Sequence, residues 1–241
     1  MPDKTADQPL AGRITLVTGA TRGIGYATAV ALAKAGSHII ATGRTQGGLE
    51  DLDDEIRGFG GETTLVPLDL KQPDGVDQLG AIIHERWGRL DGLFANAGVL
   101  GELAPVPHLS VKSFDETMLI NVTANFRLIR SMDPLLQASP SGRALFVSSR
   151  GAVTRNAFWG LYAASKSALD ALVQSYAHEN EKSNVRINLL YPGPTRTQMR
   201  AKAMPGEDPD TLRLPKDLAP LIVPYLSPDC QKHGEVIDLR V

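Results

Sequence analysis

The chain of 241 residues is 42% hydrophobic and carries a formal net charge of −2 at pH 7. Its length fits a single α/β domain with an ample core, and no repeat or low-complexity linker divides it. The small net charge argues against nucleic acid or an anionic membrane as partner, because both bind strongly basic surfaces. Residues 1–10 are mostly polar and contain two prolines, so we expect a flexible extension before one domain over 11–241.

Signals for disulfides, metals and export are lacking in the sequence. The only cysteine is Cys230, which excludes an intrachain disulfide and favours a small apolar role in a reducing compartment. The five histidines show no ligand spacing, so no metal is expected. No apolar run reaches the roughly 18 residues of a membrane span, and the N-terminus lacks the apolar core of a signal peptide. These features predict a soluble, cytoplasmic protein.

The domain opens with a strand over 14–17 and a helix over 26–35, joined by the turn Thr18-Gly-Ala-Thr-Arg-Gly-Ile-Gly25. Gly19 permits the turn, Gly23 lets the backbone approach a diphosphate, and Gly25 allows close packing of the helix. The helix N-terminus favours an anion. A glycine pattern alone is weak evidence, but its position between a strand and a helix predicts a dinucleotide site.

The second strand, over 38–42, ends in Gly43-Arg44. Dinucleotide folds that select NAD place an acid here for the ribose 2′-hydroxyl, whereas a 2′-phosphate is attracted by arginine. Gly43 with Arg44 therefore favours NADP(H) over NAD(H), and Arg22 is a second candidate for the same phosphate. The alternative is that both arginines extend into solvent.

The remaining pattern alternates strands and helices. Asp69-Leu70 and Asn96-Ala97-Gly98 follow two strands where open sheets bind ligands, although Asn96 could simply cap a turn. Asparagine competes with the hydrogen bonds of a helix interior, so Asn121 is expected either to be exposed to solvent or to belong to a functional site. The expected strands lie over 63–68, 92–95, 144–147, 185–190 and 235–239. The expected helices lie over 75–87, 113–136 and 162–181, with a short one from about 216 and an acidic helix face over 50–55. Between them we expect a loop over 150–160, a rigid turn over 191–197 and a substrate lid over 198–214.

The helix over 162–181 carries Tyr162 and Lys166 four residues apart, on the same face. A phenol has a pKa of about 10, and a nearby cation favours its phenolate, so the pair could transfer protons near neutral pH. Alone, a tyrosine and a lysine at this spacing would be far more often a feature of ordinary packing. Ser149, at the end of the apolar run 144–147, and the glycine turn favour the catalytic interpretation.

Six motifs in this order resemble the short-chain dehydrogenase/reductase family over residues 11–239. They are Thr18-Gly-x3-Gly-Ile-Gly25, Asn96-Ala-Gly98, Asn121, Ser149, Tyr162-x3-Lys166 and Pro192-Gly-x3-Thr197. The resemblance implies a Rossmann-type, doubly wound sheet of seven parallel strands with helices on both faces. It also implies a catalytic tetrad of Asn121, Ser149, Tyr162 and Lys166.

The resemblance further implies NAD(P), with Asp69 near the adenine and Thr197 near the nicotinamide carboxamide. In the implied reaction, Tyr162 transfers the proton, Lys166 lowers its pKa and holds the ribose, Ser149 binds the substrate oxygen, and Asn121 positions a relay water. The residues expected to bind the cofactor are Gly19, Thr21, Arg22, Gly23, Ile24, Gly25, Arg44, Asp69, Leu70, Asn96, Ala97, Gly98, Tyr162, Lys166, Pro192, Gly193, Thr195 and Thr197.

Two departures from the family pattern stand out. Ala95 replaces the usual first asparagine before Asn96, and residues 236–241 lack the usual glycine pair, which weakens the case for a tetramer and leaves a dimer plausible.

The expected partner is a small carbonyl or alcohol in a largely apolar pocket, although each apolar residue named for it could equally be packing. Alternatives to NADP-dependent oxidoreduction are a cofactor-binding regulator and a dehydratase or epimerase on the same fold. The expected pocket residues are Val99, Leu100, Leu103, Phe158, Trp159 and Met199, with Arg150, Arg155 and Arg200 at the rim.

Overall fold

A computed structural model describes residues 8–240. Its strands are β1 (Ile14–Thr18), β2 (His38–Gly43), β3 (Thr63–Pro67), β4 (Gly92–Ala95), β5 (Arg143–Val147), β6 (Arg186–Tyr191) and β7 (Val236–Asp238). Its α-helices are α1 (Gly23–Lys34), α2 (Gln46–Gly58), α3 (Pro73–Trp87), α4 (Val111–Met118), α5 (Ala124–Gln137), α6 (Gly151–Thr154), α7 (Gly160–Glu179), α8 (Gln198–Ala203) and α9 (Pro215–Ile222). None of the described helices is long and apolar enough to span a lipid bilayer.

The seven described strands form one parallel sheet in the order β3-β2-β1-β4-β5-β6-β7. From β1 the chain winds outward to β3 and then returns to β4 on the other side. Val17 of β1 therefore pairs with both Ala41 of β2 and Phe94 of β4. The carboxyl ends of β1 and β4 form the switch point at which such sheets bind ligands. This is the doubly wound Rossmann-type fold that the sequence predicted.

The core has one layer on each face of the sheet, because side chains of successive strand residues point to opposite faces. Leu16 belongs to the layer beneath α3, α5 and α7, whereas Val17 belongs to the layer beneath α1, α2 and α9. The same alternation places Phe146 in the first layer and Leu145 in the second. Strands buried on both faces read as continuous apolar runs, as β5 does.

A polar network covers the amino-terminal edge of the sheet, opposite the switch point. The carboxylate of Asp91, just before β4, accepts hydrogen bonds from the Ile14 amide at 3.0 Å, the Ser139 hydroxyl at 2.6 Å and Arg89 Nε at 3.1 Å. Arg13 donates to the Asp91 carbonyl at 2.6 Å. This network joins β1, β4 and the loop before β5.

The structure refines the predicted helices in three places. The helix expected over 113–136 is interrupted at Leu119–Thr123 by a single π turn that separates α4 from α5. The loop expected over 150–160 contains α6. The lid expected over 198–214 contains α8 and is held at its base, where the Arg196 amide donates to the Arg213 carbonyl at 2.9 Å.

The N-terminal boundary also differs from the expected one. Leu10, placed in the extension by its sequence, is fully buried in the layer beneath α1, and its amide donates to the Ala35 carbonyl at 2.8 Å. The packed domain therefore includes Leu10. Most of the predicted extension, residues 1–7, lies outside the described residues.

Candidate active site

The glycine turn between β1 and α1 is shaped by close backbone contacts. Gly19 and Gly23 have φ values of +66° and +60°, in the left-handed region that favours glycine. A Cβ atom on Gly25 would lie 2.3 Å from the Gly19 carbonyl oxygen, so no other residue fits there without displacing the turn. Asn96 Nδ2 fastens this turn to the end of β4 by donating to the Thr18 and Gly19 carbonyls at 3.0 and 3.3 Å.

The N-terminus of α1 opens onto the cleft beside this turn. Arg22 is its N-cap in an extended conformation, and its side chain makes no capping hydrogen bond. The amides of the first helical turn are therefore available to a ligand, and the helix dipole favours an anionic one. Together with the glycine contacts, this geometry fits the diphosphate of a dinucleotide.

The end of β2 brings Gly43 and Arg44 next to the same turn. A Cβ atom on Gly43 would lie 2.5 Å from the Thr21 methyl carbon, so these two residues are packed against each other. Arg22 and Arg44 are exposed and line the cleft, and within residues 8–240 neither forms an ion pair. Two guanidinium groups without an ion-pair partner in the described residues thus line the cleft beside the glycine turn.

Asn121 lies in the π turn with 0% of its surface exposed, which excludes the simple solvent-exposed role. Its Oδ1 accepts from the Val99 amide at 2.8 Å, and its Nδ2 donates to the Val99 carbonyl and to Ser165 Oγ, both at 2.9 Å. The carboxamide therefore holds the segment after β4 against α7. Asn121 and Gly25 support the cleft from behind and do not line it.

Ser149, Tyr162 and Lys166 meet at the carboxyl end of β5. Tyr162 is 8% exposed and Lys166 3% exposed, and Lys166 Nζ lies 6.0 Å from the centroid of the Tyr162 ring. Lys166 Nζ donates to the Val147 carbonyl at 2.8 Å. Ser149 Oγ accepts from the Gly151 amide at 3.1 Å. The helical spacing of Tyr162 and Lys166 thus places both side chains at the cleft, as predicted.

The direction of the tyrosine pKa shift differs from the prediction. Burial raises the pKa of Tyr162, the neighbouring Ser149 hydroxyl opposes this shift, and Asp170 adds to it. Burial also lowers the pKa of Lys166 to about 8, which the negative charge of Asp170 opposes. Desolvation therefore outweighs the attraction that was expected to lower the pKa of Tyr162, and the phenol stays protonated at neutral pH.

The turn after β6 closes the cleft on its other side. Thr195 is buried, and its hydroxyl donates to the Gly193 carbonyl at 3.2 Å. Thr197 is the N-cap of α8, and its hydroxyl accepts from the Arg200 amide at 3.2 Å. The Thr197 methyl would lie 3.5 Å from a Cβ atom on Gly23. The base of the predicted lid therefore reaches the glycine turn.

These groups line one cleft of about 1810 Å³. The predicted apolar residues Val99, Leu100, Leu103, Trp159 and Met199 line it, whereas Phe158 and Arg155 do not. Trp159 packs edge-on against Tyr162, with 5.9 Å between ring centroids. The predicted cofactor and catalytic residues that line the cleft are Gly19, Thr21, Arg22, Gly23, Ile24, Arg44, Asp69, Leu70, Asn96, Ala97, Gly98, Ser149, Tyr162, Lys166, Pro192, Gly193, Thr195 and Thr197.

Comparison with known proteins agrees with this geometry. Residues 13–208 match the profile of the short chain dehydrogenase family. The chain belongs to the short-chain dehydrogenase family. It is 37% identical to the uncharacterized oxidoreductase YciK of Escherichia coli (strain K12) over 232 residues, which cover 95% of this chain and 92% of YciK. Like its relatives it is an oxidoreductase, and such enzymes act on small molecules.

Solved short-chain dehydrogenases share the whole architecture. A structure from Pseudomonas syringae superposes with a TM-score of 0.94 at 36% identity and covers 97% of both chains. A second, from Shigella flexneri 2a, was solved in complex with NADP; its TM-score is 0.90 at 36% identity, and the match covers 96% of this chain and 98% of that one. The glycine turn of this short-chain dehydrogenase therefore belongs to a fold that binds NAD(P).

Two polar residues close to Lys166 of this short-chain dehydrogenase were not singled out from the sequence. Asp170 lies one turn beyond Lys166 on α7, and Tyr191 ends β6; the Tyr191 hydroxyl donates to Asp170 Oδ2 at 2.5 Å. The four-residue spacing from Lys166 to Asp170 is a signal that could have indicated the acid. Nothing in the local sequence points from Asp170 to Tyr191.

Proposed function

We propose that the enzyme interconverts a carbonyl and an alcohol with NADP(H), and that Tyr162 transfers the proton. One observation carries the proposal: Tyr162 and Lys166 face the same cleft as the glycine turn and Arg44. A proton donor and a dinucleotide site are the two components that such a reaction needs.

The cofactor would lie along the carboxyl ends of β1 and β4. The amides at the start of α1 would hold its diphosphate, with Asp69 near the adenine and Lys166 at the nicotinamide ribose. A Cβ atom on Gly98 would lie 3.3 Å from Asn121 Oδ1 and 3.4 Å from Lys166 Nζ, so glycine keeps the space next to the lysine open. Asn121 acts there by holding the Val99 segment, and the proposed relay water would lie beside it.

The proton step follows from the state of Tyr162. Since its pKa is raised by burial, the phenol is protonated at neutral pH and suits donation to a carbonyl oxygen. Ser149 would bind the same oxygen by a hydrogen bond. When bound next to these residues, NADPH would supply the hydride that the carbonyl carbon accepts. Carbonyl reduction therefore uses the protonated form of Tyr162 that is present near neutral pH, whereas alcohol oxidation needs the phenolate that forms at higher pH.

NADP(H) is preferred over NAD(H) in this proposal. Arg44 follows β2 and Arg22 lies in the glycine turn, and neither forms an ion pair among residues 8–240; Gly43 stands where an acid would select NAD. A charge-assisted hydrogen bond to the 2′-phosphate contributes roughly 1.5 to 3 kcal/mol, about tenfold or more in affinity. The NADP complex of the Shigella relative supports this choice.

The proposed substrate is a carbonyl compound with an apolar body. Leu100, Leu103, Trp159 and Met199 line the cleft next to Tyr162. Methionine in the segment over 198–214 adapts to ligands of different shape, which suits a lid that closes on the substrate.

A cytoplasmic location and a homodimer are further predictions. The exposure of Phe114 on α4 and Phe126 on α5 supports the dimer. The mass of the protein in solution tests the dimer.

A turnover screen combined with two tyrosine variants tests the function. Purified protein is given NADPH and a panel of aliphatic, aromatic and cyclic carbonyls, and NADPH oxidation is followed. For any substrate found, Tyr162→Phe should lower kcat by about 100- to 10,000-fold with NADPH binding nearly unchanged. Tyr225→Phe, outside the cleft, is the matched control and should keep full activity. A Tyr162→Phe enzyme with the wild-type rate would refute the mechanism.

A further inference from the structure

A group of polar side chains lies one helical turn beyond Lys166 along α7. It consists of Asp170 on α7, Tyr191 at the end of β6 and Ser148 just after β5. The Tyr191 hydroxyl donates to Asp170 Oδ2 at 2.5 Å. Three separate elements thus bring their polar groups together at Asp170, one helical turn from Lys166.

The hydrogen bonding of this group is incomplete. Asp170 Oδ1 and Ser148 Oγ are both buried and lack a hydrogen-bond partner among residues 8–240. Buried polar atoms are nearly always bonded, so each exception calls for an explanation. Tyr191 fixes one oxygen of the carboxylate, and the Ser148 hydroxyl is the neighbouring group that, like Tyr191, opposes the rise in the pKa of Asp170 caused by burial.

Lys166 is the cation on which the negative charge of Asp170 acts. Its ammonium is 3% exposed and makes one hydrogen bond, to the Val147 carbonyl. Within the described chain no carboxylate lies within 4 Å of it, and Asp170 is the charged group that acts on it from a greater distance. A buried cation without a negative charge nearby tends to lose its proton.

The other groups around Lys166 cannot supply a negative charge next to its ammonium. Tyr162 on α7 and Ser149 after β5 are neutral, and the Asn121 carboxamide is bonded to Val99 and Ser165. On the far side of Tyr191, Asp238 of β7 is paired with the Arg240 guanidinium at 2.6 Å. Asp170 is therefore the carboxylate left to balance the lysine.

We propose that Asp170, oriented by Tyr191, is a positioning residue that keeps Lys166 protonated while the enzyme works. The role of Lys166 in catalysis rests on the function proposed above, whereas its protonation state is a property of the free protein. Burial lowers the pKa of Lys166 to about 8, and Asp170 opposes that shift. Without the carboxylate, Lys166 would be largely neutral at physiological pH and would bind the ribose less well.

The test measures the protonation of Lys166 directly in the full chain. Protein labelled with 13C at the lysine Cε is titrated by NMR, and the Lys166 resonance is assigned by its absence in Lys166→Met. We expect a wild-type midpoint near pH 8, and a midpoint lower by about one unit in Asp170→Asn. Tyr191→Phe should shift it in the same direction by less. Glu179→Gln, at the exposed end of the same helix, is the control and should leave it unchanged.

The outcomes separate the proposal from its alternatives. An unchanged midpoint in folded Asp170→Asn would overturn it, as would a wild-type midpoint in the ordinary lysine range. If Asp170→Asn does not fold, Tyr191→Phe decides: a wild-type midpoint there overturns the proposal. The titration requires no substrate, so a protein without turnover would refute the proposed function and leave this result standing. With a substrate in hand, the alkaline limb of kcat/KM should move to lower pH in Asp170→Asn and return in Asp170→Glu.

Discussion

Two carboxylates, the buried Asp91 and the half-buried Asp170, occupy opposite edges of the same sheet and have very different surroundings. Asp91, at the amino-terminal edge, is 2% exposed, and the Ile14 amide, the Ser139 hydroxyl and Arg89 all donate to it. Asp170, at the carboxyl-terminal edge, accepts from Tyr191 at one oxygen and has a buried second oxygen without a described partner. Burial raises the pKa of Asp170.

The difference separates groups that hold the fold together from groups that are ready to react. A carboxylate with all its hydrogen bonds made has a fixed charge and a fixed position, and it stabilises the structure around it. Incompletely bonded, desolvated groups have shifted proton affinities, and such groups concentrate at functional sites. The comparison predicts that changes at the amino-terminal edge alter stability, whereas changes at the carboxyl-terminal edge alter binding and catalysis.

The largest expected effect is on stability, from Asp91→Ala. Removing this carboxylate leaves Arg89 and the Ile14 amide without their buried partner, which should cost about 3 to 5 kcal/mol of unfolding free energy. Chemical denaturation measures the loss. NADPH binding by the remaining folded protein should be unchanged. Asp54→Ala, an exposed acid on α2, is the control and should fall within about 0.5 kcal/mol of wild type. A loss below 1 kcal/mol for Asp91→Ala would contradict the comparison.

The second prediction concerns cofactor choice at the end of β2. Arg44→Ala should weaken NADPH binding about tenfold or more and leave NADH binding nearly unchanged, because only NADP(H) carries the 2′-phosphate. Titration of both cofactors measures the ratio. Arg57→Ala, an exposed arginine on α2 that does not line the cleft, is the matched control. Equal wild-type affinities for NADPH and NADH would defeat the assignment.

Installing an acid at Gly43 sharpens the same test. Because a Cβ atom there would meet the Thr21 methyl at 2.5 Å, Gly43→Asp is combined with Thr21→Ser, which removes that methyl. The combined variant should repel the 2′-phosphate and bind NADH as well as or better than wild type. Thr21→Ser alone is the control and should keep the NADPH preference. A Gly43→Asp, Thr21→Ser protein that still prefers NADPH would show that this position does not select the cofactor.

The third prediction follows from the pKa of about 8 for Lys166. Below pH 8 the ammonium is charged and NADPH affinity should be constant. Above pH 8 the affinity should fall, by up to about tenfold per pH unit.

The free energy of unfolding should change in the opposite sense and rise with pH. The folded state releases the lysine proton before the unfolded chain does, so wild type gains unfolding free energy relative to Lys166→Met between pH 8 and 9.5, by at most about 1.4 kcal/mol per unit. Parallel pH curves for the two proteins would contradict the assignment.

Features with a local cause were predictable from the sequence. The glycine turn follows from residues in one short segment, because the tight backbone contacts of Gly19 and Gly25 exclude side chains whatever surrounds them. Tyr162 and Lys166 share a helix face for an equally local reason, since their spacing places them one turn apart. The alternation of strands and helices predicted the sheet in the same way.

Features that depend on the folded surroundings were not predictable. The bond from Tyr191 to Asp170 joins a strand end to a helix, and no local pattern links the two residues. The role of Asn121 depends on Val99 and Ser165, which its own segment does not reveal. The pKa of Tyr162 was predicted in the wrong direction, because desolvation depends on the packing around the ring and Lys166 donates to the Val147 carbonyl.

The smallest expected effect is that of Trp159→Ala, which asks whether the indole is a pocket wall or a support for Tyr162. The ring lines the cleft and packs edge-on against Tyr162 at 5.9 Å, a contact worth about 0.5 to 1.5 kcal/mol beyond burial. If it forms the wall, KM for a bulky apolar carbonyl should rise about three- to tenfold with kcat unchanged, and a small carbonyl should be unaffected. If it supports Tyr162, kcat should fall for every substrate. Trp159→Phe keeps an aromatic edge beside Tyr162 and should restore kcat in the second case alone, so steady-state kinetics on one large and one small substrate decide between the two roles.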